Sequence, residues 1–381
     1  MTTPFKAGWP SESVDALRAQ VRSYRLSNLP DDSGWSYGCD PQVLRELCVY
    51  WTDHFDVDAM AEDLNRFPQF TANVDGLMLH FAHVRGESEG KRPLMLVHGW
   101  PGSTYEFWPA VEALAFPSRT GGRAEDAFDL VIPSLPGYGF SAKPERPIDP
   151  RRIGGLFDTL MHEVLEYERY FVHGTDWGAV IGPWMALDHA RSLRGLHTDY
   201  LGIVPEDVPL DEVEQRWVHD SADHEKRLGA YSHLQSTRVQ SLAYAMQDNP
   251  VAQAAWILER FHDWADLRER SLIDVFGRDR LITSIMLYVM TDTFATSTWI
   301  YTASDREKSK VLPKGRRIEV PTGYASWPDP RHPAVPRSLV ERACNLVHWS
   351  QQPRGGHFPP TEAPEAFVAD LRAWARRIDD G

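Results

Sequence analysis

Apolar and polar positions divide the chain into three textures. In the first 90 residues, Val14, Leu17, Val21 and Tyr24 recur on one helical face behind Ser11, which predicts a helix over 11–24. Residues 41–55 read as a second helix, and 29–40, rich in Asp, Gly and Ser, as the loop between them. From Pro93 the pattern becomes short apolar runs that end in glycine-rich turns. Residues 94–97 lead into His98-Gly99-Trp100-Pro101-Gly102, 128–132 into a turn ending Gly137-Tyr138-Gly139, and 170–173 into Gly174-Thr175-Asp176-Trp177-Gly178. Alternating with helical segments, such runs predict a mostly parallel sheet covered on both faces. Active sites of such sheets lie beyond the C-terminal strand ends, where all three turns fall. Residues 196–204 read as a further strand, 206–310 as mostly helical, 317–320 and 345–349 as strands, and 364–378 as a last amphipathic helix. A helical insertion of about 100 residues therefore interrupts the sheet.

Composition narrows the classes. A chain of 381 residues allows two or three domains or one elaborated domain. Apolar residues make up 42% and charged residues 25%, as in a soluble globular protein with a large core. The net charge of −14 argues against nonspecific binding to nucleic acid or to an anionic membrane. With 14 Trp, 13 Tyr and 16 Phe the chain is not disordered, and what the Trp and Tyr are for is open. No uncharged stretch reaches the roughly 18 residues of a membrane span, and the N-terminus has no apolar signal segment. Cys39, Cys48 and Cys344 lack metal or disulfide spacing, so reduced thiols and a cytoplasmic location are expected.

The chemistry concentrates in the turns. Gly174-Thr175-Asp176-Trp177-Gly178, between an apolar strand and a small-residue helix start, has the context of a nucleophile elbow with Asp176 at its tip. Gly34-Trp35-Ser36-Tyr37-Gly38 matches the serine form of that motif, but no strand precedes it, so Ser36 is rejected. The loop after the first apolar strand works through its backbone. The N–H groups of Trp100 and Trp177 are the expected oxyanion donors, and His98 is expected to be structural. A histidine base is expected late in the chain. His357 in Arg354-Gly355-Gly356-His357-Phe358 follows the last strand, where glycines allow close approach. For the acid, Asp329 is nearest the exit of the strand at 317–320, and Glu206 after the preceding strand is the rival. No metal motif, dinucleotide fingerprint or phosphate loop occurs, so neither cofactor nor metal is expected, and the scattered His80, His83, His219, His224, His233 and His262 read as structural or surface.

These residues resemble the microsomal-type epoxide hydrolases of the α/β-hydrolase superfamily over nearly the whole chain. The likeness rests on Leu64-Asn65-Arg66-Phe67-Pro68-Gln69-Phe70, HGWPGS, SLPGYGFS, GTDWG, GGHF, GAYSHLQSTR and AAWILERFHDW. It implies an N-terminal epoxide-hydrolase segment (1–90), a core (91–205 and 311–381) and a helical cap (206–310). It also implies Asp176 as nucleophile, His357 as base, and Tyr231 and Tyr301 as cap tyrosines over the site. Two positions depart from the family pattern. Trp327-Pro328-Asp329-Pro330 puts the acid one residue after the proline rather than two, and Pro359-Pro360 stands where the family favours Ala-Ala. Relatives of the membrane-bound type begin with an anchor, and none is expected here.

The expected activity is cofactor-independent hydrolysis of an epoxide to a vicinal diol. A carboxylate can open the ring from behind and form an ester that His357-activated water cleaves, whereas a serine would form an ether that water does not readily cleave. A tyrosine on the opposite side can protonate the leaving oxygen. The partner expected is a small-molecule epoxide, with no nucleic acid and no membrane, and a homodimer is left open. Detoxification or natural-product (antibiotic) biosynthesis are the settings relatives suggest. A haloalkane dehalogenase-like hydrolase and a non-catalytic ligand-binding homologue are the alternatives.

Overall fold

A computed structural model describes residues 1–26, 32–87, 92–205 and 210–380. Its strands are β1 (Thr2–Phe5), β2 (Gln69–Val74), β3 (Leu77–Val84), β4 (Arg92–Val97), β5 (Phe128–Pro133), β6 (Tyr170–Gly174), β7 (Leu193–Thr198), β8 (Val204–Pro205), β9 (Val311–Leu312), β10 (Ile318–Ser326) and β11 (Cys344–Gln351). Nine of them form one sheet in the order β1-β2-β3-β5-β4-β6-β7-β10-β11, while β8 pairs with β9. The pairs among β1, β2, β3 and β5 are antiparallel, and from β5 onward the sheet is parallel. This is the mostly parallel α/β-hydrolase sheet expected from the apolar runs.

Every side chain from Leu94 to Val97 and from Leu130 to Ile132 is fully buried, which is why those segments read as unbroken apolar runs. Helices Trp108–Ala115 and Pro364–Asp379 pack together in one covering layer, and Pro150–Thr159 and Gly178–Asp188 pack together in another.

The N-terminal segment holds more strand than its texture suggests. Helices Ser11–Ser23 and Pro41–Asp53 form as expected, but β1, β2 and β3 extend the sheet. The β2–β3 hairpin turns at Asp75-Gly76, both with positive φ (49° and 84°), the backbone that a two-residue hairpin turn requires. That turn, flanked by alternating residues, is a local hairpin signal. Part of the expected loop at 29–40, residues 29–31, lies outside the described residues.

Two strand readings also shift. The strand placed at 196–204 is β7, which begins at Leu193 and ends at Thr198. Its end is fixed by Thr198, whose hydroxyl bonds to the carbonyls of Gly174 and Tyr200. The strand placed at 317–320 runs on to Ser326 as β10.

Between β8 and β9 lies the cap, a set of helices from Glu212–Leu228 to Trp299–Glu307. The N-terminal segment braces it. Trp35 stacks on His262 at 3.9 Å between ring centroids, and the Tyr50 hydroxyl donates to Asp279 at 2.8 Å. No helix among the described residues is long and apolar enough to cross a membrane.

Candidate active site

The elbow after β6 holds Asp176 at φ 49°, a left-handed conformation unusual for a non-glycine residue and costing about 1–3 kcal/mol. The turn closes only because its neighbours are small. A Cβ on Gly178 would strike the Val97 carbonyl, and one on Gly99 would run into the Asp176 carboxylate itself. Asp176 is thereby aimed out of the sheet with Oδ1 accepting the Trp100 N–H at 2.8 Å. Burial alone raises the Asp176 pKa, but His357 and the N–H groups of Trp100 and Trp177 outweigh it and hold the carboxyl below its ordinary value.

His357 stands between two carboxylates. Its Nε2 is 3.4 Å from Asp176 Oδ2, and its Nδ1 is 2.8 Å from Asp329 Oδ2. Its loop is fixed by the His357 N–H donating to the Trp264 carbonyl at 3.0 Å. Burial disfavours the imidazolium, yet Asp329 and Asp176 together hold the His357 pKa well above its ordinary value. Asp329 in turn is opposed by burial but kept below its usual range by His357 and His332. Its one-residue displacement from the family position does not prevent contact with the base. Glu206, the rival acid, lies outside the described residues.

His98 is held away from the chemistry. Its Nε2 accepts the Leu135 N–H at 3.1 Å and its Nδ1 faces the Gly99 carbonyl at 3.0 Å. Ser36 is exposed in a turn of the N-terminal segment.

A cavity of about 340 Å³ lies over Asp176, bounded by Trp177, Tyr231, Tyr301, Lys310, Arg331 and His332 among others. Tyr231 is carried by the cap helix Ala230–Thr237 and Tyr301 by Trp299–Glu307. Trp100 stacks on Tyr231 at 5.6 Å, Trp177 meets Tyr301 edge-on at 4.7 Å, and the two tyrosines contact each other at 6.0 Å. Contacts of this kind are worth about 0.5–1.5 kcal/mol each beyond burial. Burial raises both phenol pKa values, while the Arg331 guanidinium works against that rise at Tyr231.

Residues the sequence reading missed also gather here. His332 Nδ1 lies 3.0 Å from Asp329 Oδ2, so that one oxygen faces two imidazoles. Arg331 pairs with Glu225 of the cap, and its Cζ lies 5.8 Å from the Tyr231 ring centroid. Asp199, the residue after β7, is pushed up to about 7 by burial, against the pull of His357 and Thr175. Its Oδ2 is shielded from solvent with no partner among the described residues. It stands at the exit of β7, which ends at Thr198 rather than at the predicted 204.

An aspartate on a strained strand-to-helix turn, a histidine bridging it to a second carboxylate, and an inserted cap define an α/β hydrolase with a carboxylate at the elbow. Residues 2–107 match the family described as "Epoxide hydrolase N terminus", and 92–223 match "alpha/beta hydrolase fold". The "Putative epoxide hydrolase" of Stigmatella aurantiaca is 34% identical over 99% of this chain and 85% of its own length. Epoxide hydrolase 1 of Sus scrofa is 30% identical over 97% of this chain and 87% of its own. The crystal structure of juvenile hormone epoxide hydrolase from the silkworm Bombyx mori superimposes with a TM-score of 0.89 at 26% identity, covering 100% of this chain and 95% of that one. The structure of Aspergillus niger epoxide hydrolase does so at 0.86 and 26%, covering 99% and 97%. The chain belongs to the epoxide hydrolase family.

Proposed function

We propose that this enzyme converts a small-molecule epoxide to a vicinal diol through an ester of Asp176. The observation that carries the reading is the division of labour between the two oxygens of that carboxylate. Oδ1 accepts the Trp100 N–H, while Oδ2 faces His357. In this scheme Oδ2 attacks an oxirane carbon, the ring C–O bond breaks, and the leaving oxygen takes its proton from Tyr231 or Tyr301. His357 then removes a proton from water, and the hydroxide adds to the ester carbonyl. Oδ1 becomes the oxyanion, already within reach of backbone donors from Trp100 and Trp177. Collapse of that adduct breaks the bond between the acyl carbon and Oδ2, the departing alkoxide takes the proton held by His357, and the proton left on the Asp176 carboxyl returns to the phenolate, so the diol leaves and the enzyme is restored. Asp329 orients His357 and stabilises its charged form.

The charge ledger supports the tyrosine roles. Ester formation erases the negative charge of Asp176 and leaves one on the donating phenol. Arg331 beside Tyr231 is placed to stabilise a phenolate there, and its pairing with Glu225 holds the guanidinium against the cap. The proposal divides the chain into an N-terminal segment (1–90), a core (91–205 and 311–381) and a cap (206–310). The core supplies Asp176, Asp329 and His357, and the cap supplies Tyr231 and Tyr301.

A single turnover in ¹⁸O-water with enzyme in excess tests the ester. The diol should carry no label, and a peptide containing Asp176 should gain it. Label in the diol on the first turnover would overturn the scheme.

A further inference from the structure

The cavity over Asp176 continues into a second space. A neighbouring cavity of about 290 Å³ shares Trp177, Ser232, Tyr301 and Lys310 with the first. Beyond those four it is lined by hydroxyls and charge, including Ser236, Ser304, Lys308 and Asp305. The polar side chains of Ser232, Ser236 and Ser304 make no hydrogen bond to another described residue, so their hydroxyls are open to a ligand. Two lysines against one aspartate leave this annex with net positive charge.

Lys310 stands where the two spaces join. Its backbone is fixed, because its carbonyl accepts the Val204 N–H at 3.0 Å beside the β8–β9 pair. Its ammonium lies 4.6 Å from the Trp177 ring centroid, on the wall that Asp176 and the annex share. Among the described residues no carboxylate forms an ion pair with it. Its counter-charges are the more distant Asp176 and Glu225. Glu225 is already paired with Arg331, and in the proposed reaction Asp176 loses its charge on becoming an ester. Lys310 is exposed to solvent at this junction, so its ammonium can be approached from the annex, and a carboxylate placed between it and the annex hydroxyls gains charge-assisted contacts.

We propose that the preferred substrates are epoxides carrying a carboxylate, with the oxirane over Asp176, the body of the molecule against Trp177, and the carboxylate between Lys310 and the annex serines. The inference rests on the epoxide hydrolase reading of the same site and adds the class of substrate. An arene or short alkyl spacer between oxirane and carboxylate fits this layout, because both ends must be reached across one indole.

Binding and turnover separate the two claims. Calorimetry compares the diol acid 4-(1,2-dihydroxyethyl)benzoate with its methyl ester, a pair that needs no chemistry to bind. Wild-type enzyme should bind the acid about tenfold more tightly, a ratio that falls with added salt. In Lys310→Met the acid-to-ester ratio should fall to about one, and Lys310→Arg should restore part of it. Equal affinities in the wild type, or a ratio unchanged in Lys310→Met, would overturn the carboxylate assignment. The corresponding epoxides, 4-(oxiran-2-yl)benzoate and its methyl ester, should then show the same ordering in kcat/KM. Turnover of neither, with the binding preference intact, would count against the catalytic reading and leave the anion subsite standing.

Discussion

The floor and the roof of the active site are built on opposite plans. On the floor, Asp176, His357 and Asp329 leave three strand-exit turns of one buried sheet, and their polar atoms are already engaged with one another. The contacts are 2.8 Å from Asp329 to His357 and 3.4 Å from His357 to Asp176, with a backbone N–H on Asp176 at 2.8 Å. The roof consists of helices held by ring-on-ring contacts between Tyr231, Tyr301, Trp100, Trp177 and Trp264. Hydrogen bonds in a dry site fix direction closely, whereas aromatic packing fixes mainly distance and tolerates exchange. In the proposed reaction the floor makes and breaks bonds, and the roof delivers the proton and selects the substrate.

Breaking the floor should cost most. Asp176→Asn should lower kcat by about 10⁴-fold or more, with no covalent adduct seen by intact mass. His357→Gln should lower steady-state turnover by a similar order while leaving the first step intact, so one substrate equivalent accumulates on the protein. A mutant that neither turns over nor accumulates adduct would mean that His357 acts before ester formation.

The roof should respond by degrees. Tyr231→Phe or Tyr301→Phe alone should slow alkylation by about 10- to 100-fold, because the second phenol still reaches the leaving oxygen, and the double variant should lose about 10³-fold. Stopped-flow tryptophan fluorescence separates that step from hydrolysis. Unchanged alkylation in the double variant would remove the tyrosines from the mechanism and revive the halide-releasing alternative.

A pH profile sharpens the comparison. His357 must be neutral to take a proton from water, so hydrolysis of the ester should rise with pH through the His357 pKa. Asp329 favours the charged imidazole, and removing it lowers that pKa. Asp329→Asn should therefore move the acidic limb of single-turnover hydrolysis to lower pH, even as the maximal rate falls by about 10²-fold. A limb that stays in place would place another carboxylate, Asp199 first, in control of the base. The smallest effect belongs outside both regions. Ser36→Ala should leave kcat/KM within about twofold, since the side chain is exposed in a turn of the N-terminal segment.

Much of the floor was legible in the chain. Buried parallel strands must be continuous apolar runs, and turns that lift a side chain over a sheet must be glycine-rich, so Asp176, the Trp100 loop and His357 could be found by local rules. The β2–β3 hairpin carried an equally local sign in Asp75-Gly76. The roof was legible only through likeness to relatives, because a tyrosine on an amphipathic helix looks the same whether it faces a substrate or a core.

The opening surplus of aromatic residues divides accordingly. Trp51 and Trp374 are core, Trp35 ties the N-terminal segment to the cap, and Trp100, Trp177 and Trp264 wall the site with the two tyrosines.

The sequence by itself determined the sheet, the elbow and the carboxylate at its tip, since each depends on residues adjacent in the chain. Only the tertiary structure decided that Asp329 reaches His357 across 28 positions, that His332 and Asp199 crowd the same base, and that Lys310 stands over Trp177. These are contacts between separate strand exits and an inserted cap. Their charges act through space, and no periodicity along the chain records which of them converge.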